Sequence, residues 1–227
     1  MARQSRPAPS SRDKSAPRLD PLRLDGLDTG FAGDIEPGGR TEGLAFEGTD
    51  LAALALEGTT FAECSFRDVA AHDADLRSAS FLDCRIERLG APRLAAPRSR
   101  WRGVEVEASR IGSAELYDGE LRGVVLRGCK LGYVNLRGAS LQDVLFADCA
   151  IDELDLGGAT ATRVSLQGST VESLDVTHAS LTDVDVRGAR LHRVAGVDGL
   201  RGAILSSMQA VELAELMAAQ LGIDVRD

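Results

Sequence analysis

The chain has 227 residues, of which 44% are hydrophobic and 4% are aromatic, so leucine, valine and alanine must fill most of its interior. No run of 18 or more apolar residues is present, which excludes a membrane-spanning helix, and the basic start lacks the apolar stretch of a secretory signal. A cytoplasmic location is therefore expected. The formal net charge of −9 argues against direct binding to nucleic acid, which requires Lys and Arg at the phosphates.

The N-terminal 40 residues divide into two parts. Residues 1–18 are basic and rich in proline and serine, and they are predicted to form a disordered tail that either stays solvated or touches an anionic surface. Residues 19–40 contain the more apolar stretch from Leu19 to Phe31. This stretch is predicted to cap the N-terminal end of the repeat domain.

Residues 41–194 repeat with a period of five. Counting in fives from Phe46 to Leu191 gives thirty positions, of which four are Ala and the other twenty-six are larger apolar residues. Neither a helix, with a period of 3.6, nor a simple strand, with a period of 2, produces this spacing. Glycine is frequent two residues after each centre, where a tight turn requires a positive φ. Each pentapeptide therefore predicts a short extended piece and then a sharp corner.

A second inward-facing set lies two residues before each centre, and from Val104 onward it is interpreted as alternating between branched and small side chains. Stretches such as Ala139–Asp143, Val134–Gly138 and Ala189–Arg193 resemble the repeat of the pentapeptide-repeat family, Ala-[Asp/Asn]-Leu-x-x. The resemblance covers about residues 41–194 and implies an all-β solenoid, a right-handed quadrilateral β-helix with twenty residues in each coil. The alternation of side-chain size agrees with twenty residues per coil, because side chains of similar size then lie on opposite walls of the coil. The chain departs from the family in having few Asn or Asp residues just before the centre.

The segment from Ala91 to Arg100 interrupts the pattern. Pro92 and Pro97 each remove a backbone donor, and the size alternation changes phase across the segment. The sequence therefore predicts a surface loop at about residues 91–100, with a distorted coil as the alternative. Loops on stiff solenoids are candidate sites for partners.

Residues 195–227 leave the repeat. Ser206 to Gln209 has the pattern of a capping box, Met208 to Leu221 is predicted to be an amphipathic helix, and Gly222 lies at its C-cap. A solenoid exposes apolar core at its ends, so the helix is predicted to act as a cap. Similar family members pair end to end, which also makes it a candidate for homodimerisation, through Val211, Leu213, Leu216, Met217 and Leu221.

Catalytic patterns are missing from the sequence. The three histidines have no nucleophile at a matched spacing, no Gly-rich loop has the context of a phosphate site, and the cysteines lack further zinc ligands. Neither enzyme activity nor a cofactor or metal is expected. Cys64 and Cys84, like Cys129 and Cys149, are twenty residues apart and should stack about 4.8 Å apart on one wall. That distance allows a disulfide, but a reduced pair is favoured because cytosolic thiols stay reduced.

Charge is segregated in the later coils when the sequence is arranged at twenty residues per coil. One face collects acidic residues with no base, and a neighbouring face is mostly basic. Because stacked like charges cost stability, a binding function is one interpretation; solubility and protection of sheet edges is the other. The candidate binding residues on this acidic face are Glu115, Asp152, Glu153, Asp155, Glu172 and Asp175.

Two functions are compatible with an acidic, non-catalytic rod. Family members that confer quinolone resistance are acidic rods of duplex-like width that bind DNA gyrase and topoisomerase IV, and the resemblance implies such DNA mimicry here. The repeat would give roughly 36 Å of rod, over which duplex DNA carries about 21 charges, whereas residues 41–227 carry 19 bases and 29 acids, a net charge of −10. The alternative is a scaffold for another cytosolic protein.

Overall fold

Short parallel strands wind into a single continuous coil in the computed structural model, which describes residues 15–226. Each residue lies beside the one twenty positions later, as Phe61, Phe81 and Trp101 do in successive coils. The same twenty-residue register relates Val106 to Leu126, half-way along the chain. A coil therefore holds four pentapeptides, and the predicted β-solenoid with a C-terminal helical cap is confirmed.

Twenty strands build the coils within the described residues. They are β1 (Asp28–Gly30), β2 (Arg40–Glu42), β3 (Leu44–Glu47), β4 (Thr60–Ala62), β5 (Ser65–Arg67), β6 (Ser80–Leu82), β7 (Arg85–Glu87), β8 (Gly90–Ala95), β9 (Arg100–Arg102), β10 (Glu105–Glu107), β11 (Arg110–Glu115), β12 (Glu120–Arg127), β13 (Lys130–Asn135), β14 (Ser140–Ala147), β15 (Ala150–Asp155), β16 (Thr160–Ser165), β17 (Thr170–Asp175), β18 (Ser180–Asp185), β19 (Arg190–Ala195) and β20 (Ala203–Ile204). Short 3-10 turns occupy Ala32–Asp34 and Val197–Leu200, and the helices are α1 (Ser207–Glu212) and α2 (Ala214–Gln220).

Two parallel sheets run along the rod. The larger has 14 strands; ten of them stack in one column from β1 to β20, and β2, β4, β6 and β9 form a second column that joins at β12. The smaller sheet has the order β19-β17-β15-β13-β11-β8 and forms another side of the rod. Strand β19 is thus an edge of the smaller sheet.

The central residues of the pentapeptides fill the interior. In the early coils aromatic rings stack along the axis: the ring centroids of Phe61 and Phe81 are 5.2 Å apart, and those of Phe81 and Trp101 are 4.3 Å apart. Trp101 Nε1 donates to the buried Ser99 Oγ at 2.8 Å, so the indole carries no unsatisfied donor into the core. The four cysteines are buried and free, as a reduced pair requires.

The segment at residues 91–100 is not a loop. Strand β8 pairs with β11 in unbroken register, and β9 pairs with β6 and β12. Both prolines come directly after a coil centre, and at that position the N–H bonds to a side chain two residues earlier instead of to a neighbouring coil. Two residues at equivalent positions in other coils show this. Ala52, which is equivalent to Pro92, donates its N–H to Asp50 Oδ1 at 2.9 Å, and Gly157, which is equivalent to Pro97, donates its N–H to Asp155 Oδ1 at 2.8 Å. Proline there removes no ladder hydrogen bond, so the coil is not interrupted.

Residues 15–27 run along the outside of the rod rather than over its end. Arg18 N donates to Asp143 Oδ1 at 2.9 Å although 125 residues separate them, and only β1 joins the first coil, through β3. Residues 1–14 of the predicted disordered tail lie outside the described residues, but Ser15 is only 6% exposed. Of the predicted cap at residues 19–40, only the part from β1 onward therefore lies at the first coil. The apolar side chains that keep the earlier part on the rod are half-buried: Leu19, Leu22, Leu24 and Leu27.

The C-terminal cap closes the other end through Gln209. Its Nε2 donates to Val186 O at 2.7 Å and Ala189 O at 3.0 Å, and the predicted capping box with Ser206 is formed. The predicted single helix over residues 208–221 is instead two short helices, because the chain turns at Leu213, which is buried against the core. Neither helix has the length or apolar content needed to cross a bilayer.

Candidate interaction surface

The six predicted binding residues lie on and beside the outer face of the smaller sheet. Glu115, Asn135, Asp155 and Asp175 form one column in register across β11, β13, β15 and β17. Asp152, Glu153 and Glu172 lie on the same strands a few residues earlier. Neighbouring strands are about 4.8 Å apart, so these carboxylates are close enough for their fields to add.

Burial divides the acidic face into two classes of residue. Asp152 and Glu153 are exposed, whereas Glu115, Glu172 and Asp175 are half-buried. Asp155 is 5% exposed and is held by three donors: Tyr133 Oη at 3.2 Å, Arg137 Nη1 at 3.1 Å and Gly157 N at 2.8 Å. Asp155 therefore has a structural role and is not available to a partner.

A base that the sequence interpretation missed adjoins the acidic face. Arg137 Nη1 lies 3.1 Å from Asp155 and 3.7 Å from Asp175, so the face is not free of positive charge. Partial burial, together with Asp155, raises the pKa of Tyr133 to about 12, so its hydroxyl keeps its proton and donates to the carboxylate. Arg137 comes directly after the coil centre Leu136, on the next side of the rod, and was placed on neither charged face in the sequence analysis. Comparing residues 18 positions apart, and not only those twenty apart, would have revealed the pair of Arg137 and Asp155.

The other half-buried members have polar neighbours. Glu115 accepts from Asn135 Nδ2 at 3.0 Å and Ser113 Oγ at 3.3 Å, and Glu172 lies 3.7 Å from His192 Nε2. Asp152 and Glu153 have no cation within ion-pair distance in the described part of the chain. Two adjacent coils thus carry four carboxylates that a partner could reach: Asp152 and Glu153 without a cation, and Glu172 and Asp175 each with a base at 3.7 Å.

Ion pairs between successive coils neutralise much of the acid elsewhere. Arg88 pairs with Asp68 at 2.6 Å, Arg67 with Glu87 at 2.9 Å, and Arg85 with Glu105 at 3.0 Å. Most of these pairs are at the surface, so each contributes little to stability. Their consequence is electrostatic, because they leave the early coils with less unpaired negative charge than the late ones.

Asp143 anchors the N-terminal segment to the rod. Arg163 meets it in a two-point pair, with distances of 2.6 and 2.8 Å, and Arg18 N adds a third hydrogen bond. Burial alone would raise the pKa of Asp143, but the hydrogen bonds from Arg163 and Arg18 outweigh it and hold that pKa below its ordinary value. The carboxylate is therefore ionised wherever the protein is folded at moderate pH.

Asp143→Asn should flatten the dependence of stability on pH in acid. Because the folded-state pKa is depressed, the carboxylate stabilises the protein above its unfolded value of about 3.9, and this contribution is lost as the pH falls through the folded value. In urea unfolding, the free energy of unfolding should fall less between about pH 7 and about pH 3 for the variant than for the wild type. Asn accepts the positive φ of 58° at this position. Asp148→Asn, at a similar φ of 54° but exposed, is the matched control and should lose as much stability as the wild type.

The exposed side of the C-terminal helices is apolar. Of the five residues predicted for the cap or dimer, Leu213 and Met217 pack against the core, whereas Val211, Leu216 and Leu221 are 76%, 43% and 77% exposed. Met208, on the same short helix as Val211, is 71% exposed. One set of side chains thus serves the cap and another faces outward beside edge strand β19.

Comparison with known proteins gives one family and a small set of structures. The family model described as "Pentapeptide repeats (8 copies)" matches residues 120–152. Comparison with curated protein sequences gives no match. Full-length QnrB1, a plasmid-mediated fluoroquinolone resistance protein, is 15% identical, with 78% of this chain and 99% of that chain covered at a TM-score of 0.33.

A second solved structure is also a repeat protein. HetL, a pentapeptide-repeat protein involved in heterocyst differentiation regulation from the cyanobacterium Nostoc sp. strain PCC 7120, is 16% identical, with 78% of this chain and 93% of that chain covered at a TM-score of 0.26. The assignment rests on the chain's own repeat and on the family match. Residues 120–152 match the pentapeptide-repeat model, and coils of four pentapeptides with buried centres continue on both sides of them, so the solenoid is built of pentapeptide repeats.

Proposed function

We propose that this chain is a non-catalytic interaction rod in the cytoplasm, whose acidic face binds the basic, DNA-binding surface of a type II topoisomerase such as DNA gyrase. The observation that supports this most is the pair of adjacent coils with Asp152, Glu153, Glu172 and Asp175 on one face. Basic protein surfaces that bind duplex DNA are arranged to receive closely spaced anions. A stiff strand-built face offers such anions at fixed positions.

The local density of carboxylates on these two coils is about two-thirds of the charge density of duplex DNA. Duplex DNA carries one charge per 1.7 Å, or about three charges over one 4.8 Å coil spacing. Each of the two coils offers two of the four carboxylates, Asp152 and Glu153 on the first and Glu172 and Asp175 on the second. The resemblance to duplex DNA is therefore local, since earlier coils pair their acids with arginines.

The small extent of the acidic patch, which covers only two coils, also favours the alternative function, a scaffold for a different partner. A patch of two coils fits any protein with a compact basic surface, and electrostatic complementarity determines association rate and specificity for such partners too. The two functions differ in competition with DNA, since only a mimic occupies a DNA-binding surface.

Charge reversal on the acidic face should abolish activity towards gyrase. The variant is Asp152→Lys/Glu153→Lys/Glu172→Lys, which leaves Asp155 and its network intact. In supercoiling assays with and without a fluoroquinolone, wild-type protein should inhibit or protect gyrase, and the variant should need at least about tenfold more protein for the same effect.

The matched control makes the same change in net charge elsewhere. Glu36→Lys/Glu47→Lys/Glu120→Lys alters three exposed residues that lie off the acidic face. It should behave as the wild type does. An equal loss of activity towards gyrase in both variants would mean that net charge, and not this face, determines the effect. If wild-type protein had no effect on gyrase, mimicry would be contradicted and the scaffold function would be the remaining proposal.

We further propose that the rods pair end to end through the exposed apolar side of the C-terminal helices. Val211, Leu216 and Leu221 are exposed there, and edge strand β19 lies nearby with one side unpaired within the described residues. Exposed apolar residues beside an open sheet edge are typical of association surfaces. Pairing would double the length of the rod.

Leu216→Glu should convert the dimer to a monomer, because a charge would be buried at the interface without a partner. Sedimentation velocity of the wild type and the variant measures this directly. Glu215→Gln, on the same helix, is the control and should leave the dimer intact. A monomeric wild type at micromolar concentration would contradict the proposal.

A further inference from the structure

A groove lies between the N-terminal segment and one corner of the rod, and the acidic face does not reach it. Its cavity volume is about 820 Å³, with Arg18, Asp20 and Arg23 on the segment side and positions such as Gly123 and Asp143 on the corner side. Position 143 and Glu153 are ten residues, half a coil, apart, so this corner groove and the acidic face lie on opposite corners.

The middle of the corner groove is open at Gly123, whereas the space above the neighbouring Gly103 is occupied by the carboxylate of Asp83. The corner positions in successive coils hold Glu63, Asp83, Gly103, Gly123, Asp143 and Arg163. A Cβ atom at Gly123 would meet nothing closer than backbone at 3.8 Å, so the space above this glycine is unfilled. Asp83 and Asp143 have φ values of 52° and 58° at equivalent positions, close to the 64° of Gly123, so the backbone does not by itself demand glycine.

Arginines surround this gap although the chain as a whole is acidic. Arg102 and Arg122 directly precede the two glycines and are in register on adjacent strands. Arg102 has Asp83 at 3.6 Å, whereas Arg122 has no carboxylate within ion-pair distance in the part of the chain that the structure describes. Stacked like charges are unfavourable unless an anion lies between them, and Arg23 borders the same space from the opposite wall.

We propose that the corner groove binds a polyphosphate group, either an inorganic chain or the phosphates of a nucleotide, at Arg102, Arg122 and Arg23. Guanidinium groups match phosphate oxygens with paired hydrogen bonds. A ligand with several charges is required, because it must compete with Asp83 for Arg102 and overcome the repulsion of an acidic protein. The unfilled space above Gly123 supplies room for the anion in the groove that Arg102, Arg122 and Arg23 line.

Isothermal titration calorimetry with inorganic tripolyphosphate and, in a second arm, with ATP tests the site at near-physiological salt without magnesium. Gly123→Asp keeps a residue that this corner accepts but fills the gap with a negative charge, and Arg122→Gln removes the unpaired cation. Each should weaken binding by at least about tenfold. Gly158→Asp is the matched control: its φ is +65°, a Cβ atom there meets nothing within 4 Å, and it adds the same charge on another corner.

Similar affinities for tripolyphosphate and ATP, both lost in Gly123→Asp, would assign the site to the phosphates themselves. Tighter binding of ATP, lost in the same variant, would add a nucleoside contact to the same site. Absence of binding by either ligand up to about 1 mM would overturn the proposal. Equal weakening by Gly158→Asp would overturn it as well, because the loss would then reflect net charge alone.

Discussion

Phe81→Ala is expected to lower the free energy of unfolding by about 3–5 kcal/mol. Phe81 is 5% exposed and stacks between Phe61, at a ring-centroid distance of 5.2 Å, and Trp101, at 4.3 Å. Phe66 adds an edge contact at 6.3 Å. Truncation would remove these contacts and leave a cavity, and the stiff ladder of strands on all sides prevents the coil from collapsing into it.

Urea unfolding followed by circular dichroism measures this loss. Phe31→Ala removes the same atoms from a residue that is 66% exposed, and it should change stability by less than about 0.5 kcal/mol. Phe81→Leu keeps most of the volume and should lie between the two. Similar losses for Phe81→Ala and Phe31→Ala would contradict the aromatic stack as the core of the early coils.

Gln209→Met should cost about 1–3 kcal/mol, because it leaves Ala189 O without its donor and removes the acceptor of Ser206 N, whereas Val186 O keeps its hydrogen bond from Ala189 N at 3.1 Å. Methionine keeps the length and apolar contacts of the side chain, so the loss reports the hydrogen bonds. In a solenoid each coil depends on its neighbours, so hydrogen exchange should rise first in the last coil and the two helices.

The exposed Gln167 provides the matched control for that experiment. Gln167→Met should leave both the free energy of unfolding and the exchange of the last coil unchanged within about 0.5 kcal/mol. If Gln209→Met were as mild as Gln167→Met, the amide would not be the group that closes the end of the rod.

The repeat in the sequence is sufficient to predict the fold because a period of five constrains the backbone and the core together. Every apolar centre from Phe46 to Leu191 marks an inward position, and the structure places nearly all of them in the core. The prolines misled the loop prediction because their effect depends on which N–H groups enter the ladder. That property belongs to the coil geometry, and nothing in the residues around Pro92 and Pro97 reveals it.

The surfaces were only partly predictable, for a related reason. Counting in twenties places Asp152, Glu153 and Glu172 on one face, but pairs that cross a corner, such as Arg137 with Asp155, fall outside that count. The path of residues 15–27 obeys no repeat at all. It depends on half-buried leucines and on the contact with Asp143, which lies 125 residues away from Arg18 in the sequence.

The most direct test of the proposed function is competition between this protein and duplex DNA for DNA gyrase. Fluorescence anisotropy of a labelled short duplex bound to gyrase would be monitored as the protein is added at constant salt. Mimicry predicts that the protein displaces the duplex, that its apparent Kd rises in proportion to duplex concentration, and that the Asp152→Lys/Glu153→Lys/Glu172→Lys variant fails to compete. Binding of the protein and the duplex to gyrase at the same time, with neither affinity changed, would contradict mimicry.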